Sequence, residues 1–130
     1  MKIEEHLKAF KEHRDTIDWA INRGIENSQR IIGAHASRGI TELLSAYLHK
    51  IEKIDIGFQI NHRWFKSEKA GEKFPDFPNK AAIIGRMIKL ENESENLTYG
   101  SQKSESEIKG VIKMANELEY ELAGIMKDEK

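Results

Sequence analysis

His62-Arg63-Trp64-Phe65-Lys66 places a titratable ring, two cations and two aromatic side chains in five consecutive residues. That mixture suits a nucleotide or RNA. The cations and ring nitrogens contact phosphate, and aromatic faces stack on bases. Arg38 joins the group if the helices pack as their patterns suggest, giving Arg38, His62, Arg63, Trp64 and Lys66 as nucleotide- or RNA-binding candidates. The structural alternative has Trp64 and Phe65 anchoring a short helix that His62 caps, because aromatic pairs commonly belong to cores. Metal chemistry finds no foothold. The chain has no cysteine, hence no thiolate ligand, thiol nucleophile or disulfide, and no H-E-x-x-H or E-x-x-H pairing occurs. Dinucleotide, P-loop and nucleophile-elbow motifs are absent too. No metal or cofactor is expected.

These groups must be held by helices. A length of 130 residues fits a single domain, here taken as residues 1–130, that buries roughly two-thirds of its extended-chain surface. Apolar residues make up 38% and charged residues 33%, the balance of a helical protein with charged outer faces. No apolar run approaches the ~20 residues that cross a bilayer, and the N-terminal segment is amphipathic, unlike a signal peptide. A cytoplasmic location without membrane contact is therefore expected. Net charge is −1 but uneven: residues 1–90 carry 16 basic against 12 acidic side chains, and residues 91–130 carry 5 against 10. Such asymmetry can steer an anionic partner to one side, although charged helix faces also serve solubility alone.

Periodicity marks out the elements. Ile3, Leu7, Phe10, Ile17, Ile21 and Ile25 form the stripe of a first helix over about residues 2–27, with Trp19 one residue off it, flanking the core or marking an interface. A second helix over about 29–53 carries Ile32, Ala36, Ile40, Leu43, Leu44, Tyr47, Leu48 and Ile51. Its first half is thin, with Gly33, Ala34, Ala36, Ser37 and Gly39. Each glycine costs up to ~1 kcal/mol of helix propensity relative to alanine, so close packing is expected there, within the chain or against a second copy. Asp55-Ile56-Gly57 reads as a turn, and Asn61 opens a short third helix. The loop over residues 70–79 is pinned by Phe74 and Phe77. Asn79 caps a fourth helix through Leu97, with Ala82, Ile83, Met87, Leu90 and Leu97 inward, and Tyr99-Gly100 ends it with a glycine suited to a left-handed cap. Ser104 and Glu107 fit a capping box. A last helix follows with Ile108, Val111, Ile112, Ala115, Leu118, Leu122, Ile125 and Met126 at helical period. The expected fold is all-α, an antiparallel up-and-down bundle of four long helices plus a short one.

This order of elements resembles the HEPN (higher eukaryote and prokaryote nucleotide-binding) domains, over about residues 16–125. Ala36-Ser37-Arg38, opening the face of Ile40, Leu43, Leu44 and Tyr47, resembles their second helix. Asn61-His62-Arg63 resembles the histidine-bearing start of their short helix, and Leu90 to Gly100 followed by Ser104 to Leu122 resembles their last helix pair. The resemblance implies a bundle that is commonly dimeric, here through the thin second helix. It also implies a family that includes metal-independent ribonucleases, many of them toxins, and partner subunits of minimal nucleotidyltransferases.

The ribonuclease members use an arginine and a histidine four to six residues apart. Histidine exchanges a proton near neutral pH, and arginine holds phosphate in a planar fork of donors. At the corresponding place this chain has Glu91, Glu93, Ser94, Glu95 and Asn96, with no histidine and Arg86 as the nearest upstream arginine. These read as a solvated acidic face that would repel phosphate. The spacing recurs at Arg30 and His35, about 140° apart around a helix, where they would line a cleft between two copies. The catalytic candidates are thus Arg30/His35 or His62/Arg63. Three readings follow: a non-catalytic nucleotide- or RNA-related binding protein, as a homodimer or a nucleotidyltransferase partner; a metal-independent ribonuclease; and a helical scaffold.

Overall fold

Glycine and left-handed turns set the ends of the helices. In the computed structural model, which describes residues 2–128, the chain forms α1 (Ile3–Arg23), α2 (Gln29–Lys50), α3 (Lys80–Tyr99) and α4 (Glu105–Asp128), with 3-10 turns at Glu26–Ser28, His62–Lys66 and Ala70–Lys73. No strand occurs among the described residues. Met1, Glu129 and Lys130, counted above in the N-terminal segment and the C-terminal charge, lie outside them. The first helix is shorter than its periodicity suggests because Gly24 takes φ 120°. The second stops at Lys50, just before Glu52 turns left-handed at φ 60°. The short third helix is the 3-10 turn at His62–Lys66, capped as Asn61 Oδ1 accepts the Arg63 amide at 2.8 Å.

Two caps work differently from expectation. Asn79 starts α3 through a left-handed backbone, φ 60°, with no side-chain capping bond. Gly100 ends α3 with φ −85°, outside the left-handed region. Glycine is needed there because a Cβ would lie 2.4 Å from the Asn96 carbonyl oxygen. The Ser104 cap of α4 is as expected, its hydroxyl accepting the Glu107 amide at 3.2 Å.

α2 is the central element, packing against α1, α3 and α4. Ile32, Leu44, Tyr47 and Leu48 are fully buried, the three aliphatic side chains worth roughly 1.5–3 kcal/mol each. One core cluster draws on all four helices, and Phe74 and Phe77 tie the connecting loop into it. Pairs between helices fix the neighbours: His6 meets Glu42 and His13 meets His35, Gln29 reaches the Leu97 carbonyl and Ser37 reaches Glu91, and Arg86 meets Glu121. Two inward assignments change. Leu7 is exposed while His6 is buried, so α1 is rotated toward His6, Ile17 and Ala20. Ala82 is exposed and Ile84 takes its place in the core.

The thin half of α2 is taken up inside the chain. A Cβ at Gly33 would lie 2.7 Å from Leu97 Cβ, the Ser94 carbonyl oxygen and Thr98 Oγ1, and one at Gly39 would lie 3.0 Å from His13 Cβ. Gly33 therefore faces α3 and Gly39 faces α1. Gly33→Ala is expected to lower unfolding free energy by about 1–3 kcal/mol through overpacking against backbone. Gly110→Ala, where the new Cβ meets nothing within 4 Å, is expected to raise it by up to about 1 kcal/mol. Urea denaturation of both variants checks the contrast, and a neutral Gly33→Ala would mean that α2 and α3 stand further apart.

Candidate functional site

The close approach at Gly33 brings the next turn of α2 against α3. There Ser37 Oγ donates to Glu91 Oε1 at 2.6 Å. The His62–Lys66 turn docks on the same stretch of α3, fastened by the fully buried Phe65, which stacks on Phe74 at 5.5 Å. Docking places His62 Nδ1 2.9 Å from the same Glu91 oxygen. The expected solvated acidic face is thus corrected: Glu91 and Ser94 are each only 3% exposed, and Glu95 pairs with Lys66 at 3.0 Å. Burial pushes the Glu91 carboxyl up, but hydrogen bonds from His62 and Ser37, with the charges of His62 and Lys66, outweigh it and hold the group below its ordinary value. Glu91 is therefore an anion at neutral pH. With Nδ1–H directed to Glu91, a neutral His62 keeps its lone pair on Nε2.

The surface over this junction is hollowed into two adjoining clefts. The smaller, about 70 Å³, is lined by Arg38, His62, Arg63 and Lys66, with Glu91 and Ser94 among its other lining residues. The larger, about 660 Å³, is lined by Arg38, His62 and Arg63 again, with His13, Gln59 and Trp64. All five sequence-derived binding candidates thus come together, from two segments far apart in the chain. Trp64 is partly committed to packing, edge-on to Phe58 and Phe74 with Lys73 Nζ 5.5 Å from its ring centroid.

The arginines divide cleanly. Arg14 binds Asn116, Glu119 and Asp18, Arg23 lies 4.7 Å over the Trp19 ring, Arg30 donates to the Thr98 carbonyl, and Arg86 pairs with Glu121. Among the described residues, the Arg38 and Arg63 guanidinium groups have no hydrogen bond or ion pair. Both line the clefts beside His62.

Arg30 and His35 are not brought together. Arg30 is engaged with the end of α3, and His35 Nδ1 lies 2.8 Å from His13 Nδ1 on α1. The two rings share one hydrogen bond, so one Nδ1 carries the proton and the other accepts it. Burial pushes both imidazoles below their ordinary value. For His13, Glu42 opposes this and Arg38 adds to it; for His35, the His13 and Arg38 charges add to it. Further along the same interface, His6 Nδ1 lies 2.8 Å from Glu42 Oε2 and its ring stacks on His49 at 5.2 Å.

Sequence reasoning missed Glu91 as part of the site and His13 as its wall. The signal for Glu91 was present: it falls between Met87 and Ser94 at helical spacing, on the stripe that buries Leu90 and Leu97. No group of three metal-ligating side chains occurs among the described residues, and no helix there is long and apolar enough to cross a membrane. Compared with protein-family models, curated proteins and solved structures, the chain has no significant match.

The histidine shifts have a stability consequence. The folded values of His13, His35 and His49 lie below the ordinary 6.5. As pH falls through that value the unfolded chain takes up protons that the folded chain refuses, so stability rises with pH in this window and is lost on acidification. The depressed Glu91 acts in the same direction at lower pH. The thermal midpoint is expected to fall between about pH 7.5 and pH 5.5, and His13→Gln with His35→Gln to flatten that slope. An unchanged slope in the double variant would assign the acid sensitivity elsewhere.

Proposed function

We propose that this chain is a divergent HEPN-like protein, an antiparallel up-and-down bundle that binds the phosphate of a nucleotide or RNA between α2, the His62–Lys66 turn and α3. The helix-to-helix pairings support the bundle, since contacts of α1 with α2 and of α2 with α3 join residues running in opposite order. The observation that carries the function is the pair of unengaged guanidiniums, Arg38 and Arg63, beside a histidine held by a buried carboxylate. Arginine left unpaired next to a cleft offers a fork of donors to a phosphate. Lys66 adds charge at the smaller cleft, and Trp64 lines the larger one. Binding as a homodimer, or as the partner of a nucleotidyltransferase in the cytoplasm, belongs to the same reading. The glycine face of α2 is occupied by α1 and α3, so a dimer would use another surface.

A short RNA is expected to bind with an affinity that falls as salt rises, because phosphate contacts release counterions. Arg38→Ala and Arg63→Ala are each expected to weaken binding about tenfold or more, the scale of one lost charge-assisted hydrogen bond. Fluorescence anisotropy reads both effects. Unchanged affinity in both variants would remove this reading and favour a helical scaffold.

The Glu91–His62 pair favours a second reading, a metal-independent ribonuclease working through His62 with Arg63 and Arg38 rather than through Arg30 and His35. His62 Nε2 would take the proton of a ribose 2′-hydroxyl. That oxygen would bond to the adjacent phosphorus, and the 5′-oxygen would leave with a proton from water. The arginines would stabilise the charge gathering on the phosphoryl oxygens. Cleavage that persists in chelator and disappears in His62→Ala, with the fold intact by circular dichroism, is the expected outcome on this reading. Equal cleavage by His62→Ala would mark a contaminating nuclease.

A further inference from the structure

Three features of the clefts bear on what kind of phosphate fits. The first is size. The small compartment, about 70 Å³, has room for a few water molecules and hence for one compact group. Its neighbour, about 660 Å³, lies within the range of small-molecule sites. The second is adjacency. Arg38, His62 and Arg63 line both spaces, so a ligand lying across these three side chains reaches the small one with its end and the large one with its body. The third is charge. Lys66 faces Glu95 at 3.0 Å and His62 faces Glu91 at 2.9 Å, pairs that are matched within the protein. Arg38 and Arg63 remain without anions. Two unpaired cations complement a phosphate monoester, which carries about −1.5 to −2 near neutral pH, better than an internal phosphodiester with its single charge.

The body of the ligand meets different chemistry. The larger cleft adds the free side-chain amide of Gln59, the imidazole of His13 and the indole of Trp64. These suit a planar, hydrogen-bonding group such as a nucleobase. Gln59 has no hydrogen-bond partner among the described residues.

We propose that the paired clefts recognise a terminal phosphate monoester on a nucleoside, with the phosphate in the small compartment between Arg38 and Arg63 and the nucleoside in the larger one beside Gln59 and Trp64. This inference rests on the phosphate-binding reading above and narrows it from any phosphate to a chain end. The monoester comes either from a free nucleoside monophosphate or from a phosphorylated RNA end.

The test compares binding of adenosine, AMP, inorganic phosphate and a single-stranded oligoribonucleotide with a 5′-phosphate, a 3′-phosphate or neither, by calorimetry and competition. A tenfold or greater preference for AMP over both adenosine and inorganic phosphate, or for one phosphorylated oligomer over the hydroxyl-ended one, is the expected result. Arg38→Ala and Arg63→Ala should each erase that preference, and Gln59→Ala should weaken AMP while leaving inorganic phosphate unchanged. AMP binding without an end preference on the oligomer assigns the free nucleotide. An end preference without AMP binding assigns the RNA terminus. Equal binding of all three oligomers with no AMP binding overturns the terminal-phosphate inference and leaves general phosphate binding standing. No binding of any probe overturns both.

Discussion

An ionised carboxylate taken out of water costs several kcal/mol unless donors replace its hydration. Glu91 meets that demand through Ser37 on one side and His62 on the other, both on the same oxygen. Each donor has its own structural requirement. Ser37 reaches α3 only because Gly33, one turn earlier, removes the Cβ that would strike Ser94 and Leu97. His62 arrives only because Phe65 docks its turn on the core. A single buried acid therefore ties together α2, α3 and an otherwise irregular connection, and it fixes the His62 ring in the lining that also carries Arg38 and Arg63. Removing either donor while the packing stays would leave the carboxylate buried with half its hydrogen bonding, which makes the site and the packing interdependent.

The α1–α2 contact follows a related logic with different groups. Much of what it buries is polar: His6 with Glu42, His6 stacked on His49, and His13 bonded to His35. Apolar contacts tolerate sliding, whereas hydrogen-bonded pairs are satisfied in one alignment only. Gly39 accommodates His13 at 3.0 Å from where a Cβ would be, so this alignment has a steric as well as a polar component. Because His13 also lines the larger cleft, the alignment of α1 on α2 sets one wall of the candidate site.

Much of the helical layout was legible because long apolar stripes at helical period leave few alternatives. The inward faces of α2 and α4, the pinning of Phe74 and Phe77 and the Ser104 cap were all readable. The departures have a common physical origin. Histidine and glutamate count as polar in a periodicity, so the stripe of α1 runs through Leu7 instead of His6, and Glu91 falls into one acidic face with the exposed Glu93 and Asn96. Whether a polar side chain is buried depends on partners from other segments, and those partners, Glu42 for His6 and Ser37 with His62 for Glu91, lie 29 to 54 residues away. The caps show the same limit. Asn79 and Gly100 were placed correctly, but the reasons, a left-handed backbone at the first and a steric approach to Asn96 at the second, are set by the direction of the entering and leaving chain. Among the residues lining the clefts, Arg38, His62, Arg63, Trp64 and Lys66 could be grouped in advance as candidates, because cationic and aromatic residue types advertise phosphate and base contacts. Their carboxylate support could not.

Charge counted along the chain misleads for a related reason. The acidic excess of the last third suggests repulsion of phosphate, yet its carboxylates nearest the basic segments are engaged: Glu91 by His62, Glu95 by Lys66, Glu119 by Arg14 and Glu121 by Arg86. Each pair joins an acid from α3 or α4 to a cation from a different element. At contact range the field of a matched pair largely cancels, and more distant exposed charges are screened within about 8 Å at physiological ionic strength. What a ligand meets at the clefts is therefore the remainder, Arg38 and Arg63, and not the net charge of −1. Like charges lining one space repel each other in the free protein, and an anion between them relieves that repulsion while adding its own attraction. The distribution of ion pairs thus leaves the two arginines as the uncompensated cations of the cleft lining.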